Sequence, residues 1–173
     1  MPETDRRVRR TRRALLTALV ELVLDKGYDR ITVQDILDRA DIGRSTFYAH
    51  FRDKESLLLA AFDDLRLDLE LDAPTGDIVR PVQALYEHAN QRQVVYQALC
   101  GRRAGSLVHR HLHDLLVAQL TSRLPGGPIP PAVAAEYYAS AALGLLTWWI
   151  DTNFTKDVTW VVDTFRALSS HGR

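Results

Sequence analysis

The sequence predicts an all-α fold, with an N-terminal three-helix head built around a helix-turn-helix and joined by a fourth helix to a helical body. Three observations carry this. Apolar residues recur at three- and four-residue steps through nearly the whole chain, as one buried helix face requires. No segment sustains the period-two alternation of a half-buried strand. The stretches rich in proline and glycine, around Pro74–Gly76 and from Pro125 to Pro131, fall between the periodic runs, where they separate helices.

Taken in order, the first helix runs from Arg7 to Lys26 with Leu15, Ala18, Leu19, Leu22 and Val23 in one stripe, and Gly27 stands where the chain leaves it. Thr32 is a predicted N-cap for the second helix. Asp35, three residues on, completes a capping box, and Ile36, Leu37 and Ala40 face inward. The turn Asp41-Ile42-Gly43 ends that helix, and Arg44 to His50 form a short third one. Asp53 caps a fourth, whose stripe is Leu58, Ala61, Phe62, Leu65 and Leu69. Asp72 to Asp77 is the strongest break in the pattern. The division adopted is a head over residues 1–53 and a body over 54–173. Further helices are predicted at about 79–92, 94–103, 106–124, 132–152 and 156–169.

Composition narrows the class of protein. With 46% hydrophobic and 25% charged residues, the 173-residue chain is globular and not disordered. The N-terminus lacks a secretory core, and the longest nearly apolar run, Ala139 to Ile150, is shorter than the ~20 residues that span a bilayer. A cytoplasmic protein without a membrane partner is expected. Cys100 is the only cysteine, which excludes an internal disulfide and a cysteine-built zinc site. His109 and His113 share a helix face, yet only Asp114 lies near them in sequence as a further ligand, so a solvated face is expected and no metal. No nucleophile beside a base, phosphate-cradling glycine loop or evident carboxylate pair is present, so neither an enzyme nor a cofactor is predicted.

The neutral total conceals an uneven charge distribution. Six arginines fall within the first thirteen residues against Glu3 and Asp5, which predicts a mobile basic arm able to neutralise phosphates. Residues 32–50 meet the needs of a helix-turn-helix: Ile36, Ala40, Ile42 and Phe47 form the internal wedge, and the second helix keeps its polar side chains outside. Arg44 can read guanine through paired hydrogen bonds, while Ser45 and Thr46 can contact bases or a thymine methyl. Tyr48 and His50 can donate to phosphate. Lys54, in the first turn of the fourth helix, is a candidate phosphate clamp.

Residues 6–62 resemble the DNA-binding head of TetR-type transcriptional regulators. The resemblance rests on Lys26-Gly27-Tyr28, Ile31-Thr32-Val33-Gln34-Asp35-Ile36, the run Asp41 to Phe51, and Asp53-Lys54-Glu55-Ser56-Leu57-Leu58. It implies base contacts at Arg44, Ser45 and Thr46, and phosphate contacts at Thr32, Gln34, Tyr48, His50 and Lys54. Two departures stand out: Asp41 and Ser45 each occupy a position where the family often has glycine. A side-chain cap of the turn by Asp41 and an altered operator sequence are the expected consequences.

The resemblance further implies a homodimer on a palindromic operator, formed by the last two helices. Ala142, Leu145, Trp149, Val158, Val162 and Phe165 are its expected interface, because Ala139–Ile150 is apolar on nearly every face. It implies a repressor released by a small-molecule effector, with Tyr86, Tyr96, Cys100 and Trp148 as candidate pocket residues. The closing segment is loosely similar to the dihydroxyacetone-kinase regulator type, and from this comes an alternative: a TetR-like coactivator controlled by a protein partner.

Overall fold

The structure, a computed structural model, describes residues 3–63, 76–100 and 106–170. Among these residues there are nine α-helices and no strand. The head holds α1 (Glu3–Lys26), α2 (Val33–Ala40), α3 (Arg44–His50) and the start of the connecting helix, α4 (Lys54–Leu59). The body holds α5 (Val79–Gln91), α6 (Gln93–Cys100), α7 (Ser106–Arg123), α8 (Pro131–Asp151) and α9 (Val158–Ser170). Leu65 and Leu69 of the predicted fourth-helix stripe, most of the break at Asp72–Asp77 and the end of the predicted 94–103 helix lie outside the described residues.

Local chemistry sets the ends of these helices. At α2 the Thr32 hydroxyl accepts from the Asp35 N–H at 3.2 Å and the Thr32 N–H donates to Asp35 Oδ2 at 2.7 Å, closing the predicted box. Asp53 and Ser56 close a second box at α4, where serine takes the place usually held by Glu or Gln. Such a cap contributes about 1 kcal/mol. Helix α2 ends at Asp41 in the left-handed conformation, with φ 53° and ψ 48°. The expected side-chain cap is therefore replaced by a backbone one: the Asp41 and Ile42 N–H groups both bond to Leu37 O, and Asp tolerates the left-handed region better than most residues. Helix α8 begins one residue earlier than predicted, on Pro131, because the first helical position has no intrahelical N–H bond to lose.

The arginine-rich start of the chain differs more from expectation. It is the first half of a continuous helix, α1, and not a mobile arm. Leu15, Leu19, Ile36, Phe47 and Phe62 form the centre of the head core, and Tyr86, Tyr96 and Trp149 that of the body. The two halves are joined where α1 packs on α6 and α4 on α7. Phe62, in a single 3₁₀ turn after α4, meets Tyr96 edge-on at 5.4 Å, and Arg12 ties α1 to Asp63 at 2.8 Å.

In the body α7 lies along α8, and α9 returns against α5 and α8. The return is made at Asn153 and Phe154, both left-handed, with φ 57° and 54°. A bulky residue in that region is strained by roughly 1–2 kcal/mol. The strain is offset locally: the Phe154 N–H caps Trp149 O at 2.9 Å and its ring stands edge-on to Trp149 at 4.8 Å. Among the described residues no helix is long and apolar enough to cross a membrane.

Candidate nucleic-acid interface

Helix α3 is held from behind by Phe47, which is fully buried and meets Tyr48 edge-on at 5.3 Å and Phe51 at 5.9 Å. Ile36 is equally buried across the turn, while Ala40 and Ile42 pack at the margin. Seven residues make two turns, so burying position 47 turns 45, 46 and 48 outward, while Arg44 reaches solvent at the open N-terminal end of the helix. Arg44, Ser45 and Thr46 are exposed, Tyr48 is 52% exposed, and His50 is half-buried.

Two of the predicted residues are already joined. Arg44 donates to Gln34 Oε1 at 2.7 Å, and the Gln34 amide donates to Asp38 at 2.7 Å, so a polar bridge spans the helix-turn-helix on its exposed side. Gln34 thereby holds the guanidinium over the open face with donors still directed to solvent.

Thr32 and Lys54 are placed differently from the phosphate roles expected of them. The Thr32 N–H and O–H both donate to Asp35, so neither is available to a phosphate while the box is closed. These Thr32 bonds, followed by Lys26 at 2.9 Å, hold the Asp35 carboxyl far below the usual carboxylate range. This contribution is complete above the ordinary unfolded-state value and fades only as pH falls through the depressed one. The Lys54 ammonium turns inward. It donates to Tyr28 O at 3.2 Å and Ile31 O at 3.0 Å and lies 4.4 Å from the centre of the Tyr28 ring. Burial first, then Glu55, Asp53 and Asp29, push the Tyr28 phenol up to about 12.

Lys54 therefore stitches α4 to the segment linking α1 and α2. Lys54→Met is expected to lower head stability by about 1.5–3 kcal/mol, as loss of charge-assisted bonds does, and to leave the salt dependence of DNA binding unchanged. Thermal melting and salt titrations check both; a slope reduced by about 0.9 would return Lys54 to a phosphate.

A crevice of about 320 Å³ runs between α3 and the start of α1, lined by Arg7, Val8 and Thr11 on one side and by Ser45, Thr46, Ala49 and His50 on the other. Arg7, expected as the start of the first helix and part of the basic arm, was not among the expected DNA contacts. A periodic signal was there: 7 and 11 continue the buried stripe of 15, 18 and 22 back toward the N-terminus.

In the body, the residues expected to meet a partner subunit face the protomer's own core. Trp149 is 0% exposed and donates to Lys156 O at 2.8 Å; Ala142, Val162 and Phe165 are buried, and Leu145 and Val158 half-buried. The outward face is displaced by one residue along α8. Tyr137, Ala141, Gly144 and Trp148 are exposed there, with Trp160 and Leu168 on α9. Trp148 and Trp160 are each 41% exposed, with ring centres 5.8 Å apart.

The four candidate pocket residues do not converge. Tyr86 is buried and donates to Ala142 O at 3.0 Å; Tyr96 is buried with its hydroxyl 2.9 Å from His88 Nδ1. Burial pushes both phenols well above their ordinary range, and it does the same to the Cys100 thiol, which it keeps protonated. Trp148 lies on the outer surface. The two tyrosines pack against Trp149 and Phe62 respectively. His113 leans on α8, 3.3 Å from both Ser140 Oγ and Glu136 Oε2. No group of three or more metal-ligating side chains converges among the described residues.

A capped helix, a tight turn and a short second helix with its polar side chains outward form the helix-turn-helix arrangement of DNA-binding proteins. Residues 15–61 match the model of the tetR family of bacterial regulatory proteins. The chain is 33% identical over 127 residues to the HTH-type transcriptional regulator TcmR of Streptomyces glaucescens, a match covering 70% of this chain and 52% of the relative, about half its length. A TetR transcriptional regulator from Streptococcus agalactiae 2603V superposes with TM-score 0.68 at 24% identity, covering 95% of this chain and 96% of that one. The dihydroxyacetone kinase operon activator DhaS superposes with TM-score 0.59 at 17% identity, over 91% and 93%. Over residues 15–61 the chain carries the DNA-binding region of the tetR family of bacterial regulatory proteins.

Proposed function

We propose that two copies of this chain bind a palindromic operator in double-stranded DNA, each laying α3 into the major groove. In this reading the protein acts in the cytoplasm and represses transcription until a small molecule releases it. The observation that supports it best is the exposed row of Arg44, Ser45, Thr46 and Tyr48 on a helix anchored by Phe47. Arg44 is the guanine reader, oriented by Gln34; Ser45 and Thr46 contact neighbouring bases; Tyr48, His50 and Arg7 grip the backbone. Thr32 and Lys54 brace the frame that presents them. The reading head is assigned to residues 1–53 and the regulatory and dimerising body to 54–173.

Dimerisation is assigned to the exposed face of α8 and α9. A two-fold axis there sets two α3 helices to meet two half-sites. Release follows a fixed sign: an effector lowers operator affinity only if it binds the DNA-incompetent arrangement more tightly.

The test is to select bound duplexes from a random pool and titrate the selected duplex against Arg44→Ala. The expected result is a loss of about 1–3 kcal/mol of discrimination at one base pair per half-site. Equal weakening on selected and random duplexes would remove Arg44 as a reader.

A further inference from the structure

An open groove of about 1220 Å³ runs along α1 on a flank other than the one beside α3, closed opposite by the 3₁₀ turn after α4 and the start of α6. It is larger than most ligand pockets, and its two ends differ in chemistry. At one end stand Arg6, Arg10 and Arg13, all exposed and without an ion-pair partner among the described residues. The groove's two acids are already neutralised: Glu21 by Arg39 at 3.1 Å, Asp63 by Arg12 at 2.8 Å. From Arg13 onward the α1 wall carries Leu16, Val20 and Leu24, with Thr17 and the paired Glu21 beside them, a run of about 16 Å at 1.5 Å per residue. Val94 and Val95 of α6 face it. Leu24 and Val94 are 45% and 57% exposed, unusual for large apolar side chains outside the α8–α9 face.

DNA binding does not account for this arrangement. The α1 side chains beside α3 are Arg7, Val8 and Thr11, on another flank of the helix. A duplex also has no use for an apolar wall leading away from the phosphates. What fits both ends at once is a molecule with an anionic head and an extended apolar tail.

We propose that the groove between α1 and α6 binds a free anionic amphiphile, a medium- or long-chain carboxylate, with its head on Arg6, Arg10 and Arg13 and its chain along Leu16, Val20, Leu24 and Val94. The groove lies on the seam between head and body, so an occupant bears on how α1 sits against α6. Its effect on operator binding rests on the DNA-binding reading above; its existence as a site does not.

The experiment is calorimetric titration of the full chain, without DNA, with dodecanoate below its micelle concentration. Dodecyltrimethylammonium (the same chain with opposite charge) and acetate (the charge without the chain) are the comparisons. Dodecanoate is expected to bind at least tenfold more tightly than either. Val94→Glu and Leu24→Glu, both at exposed positions and outside the proposed DNA contacts, are each expected to weaken it tenfold or more with unchanged thermal melting. Equal binding of the cation, undiminished binding by both variants, or association only with phosphatidylglycerol vesicles would overturn the site. A second titration on the selected duplex separates the two ideas. Dodecanoate that binds but leaves duplex affinity unmoved overturns the coupling, whereas a chain that binds no duplex overturns the DNA reading and leaves the calorimetry to decide the groove.

Discussion

Phe47→Ala is expected to destabilise the head by about 3–5 kcal/mol, the range for truncating a fully buried phenylalanine, and to abolish operator binding at ordinary temperature. The whole ring lies in the core, between Tyr48 and Phe51, and α3 is only two turns long, too short to hold its shape by itself. Total stability of a domain is about 5–15 kcal/mol, so the loss is a large fraction of it. The neighbouring change gives the contrast. Tyr48→Ala removes a side chain that is half in solvent, so melting is expected to move by about 0.5 kcal/mol or less while duplex affinity falls. Melting curves and anisotropy titrations on both variants check this. Similar melting losses for the two would mean that α3 is not positioned from behind by Phe47.

The double variant Trp148→Glu, Trp160→Glu is expected to convert a dimer to a folded monomer and to weaken operator binding by about a hundredfold or more, the advantage lost when two linked half-site contacts become one. Both rings are partly exposed and touch each other on the outward face, so their replacement leaves the protomer core intact. Sedimentation velocity and duplex titration read the two effects. A variant that stays dimeric places the interface elsewhere. Trp149→Ala is the internal comparison, because its ring is fully buried beside Tyr86 and Phe154 and its loss damages the protomer itself.

Much of the head was legible in the residues. Thr32 with Asp35 announced one helix start and Asp53 another, because capping is a bond between residues three apart and needs nothing distant. The outward set on α3 followed from a single buried position, Phe47, on a helix with polar neighbours. The inward turn of the Lys54 side chain was not legible, for a reason of the same physical kind seen from the other side. Its partners, the Tyr28 and Ile31 carbonyls, lie more than twenty residues back, and no local pattern announces a backbone carbonyl as an acceptor.

The chain by itself determined the all-α class, the order of the described helices and the capped starts at Thr32 and Asp53, since these depend on spacing along one strand of covalent bonds. Tertiary structure alone decided which side of α8 looks outward, and that Tyr86 and Tyr96 are buried against Trp149 and Phe62. A helix apolar all round gives no preferred face, so Trp148 and Trp149 are equivalent until neighbours cover one of them. Burial is a property of what packs against a residue, and α5 and α6 approach α8 from parts of the chain far from it in sequence.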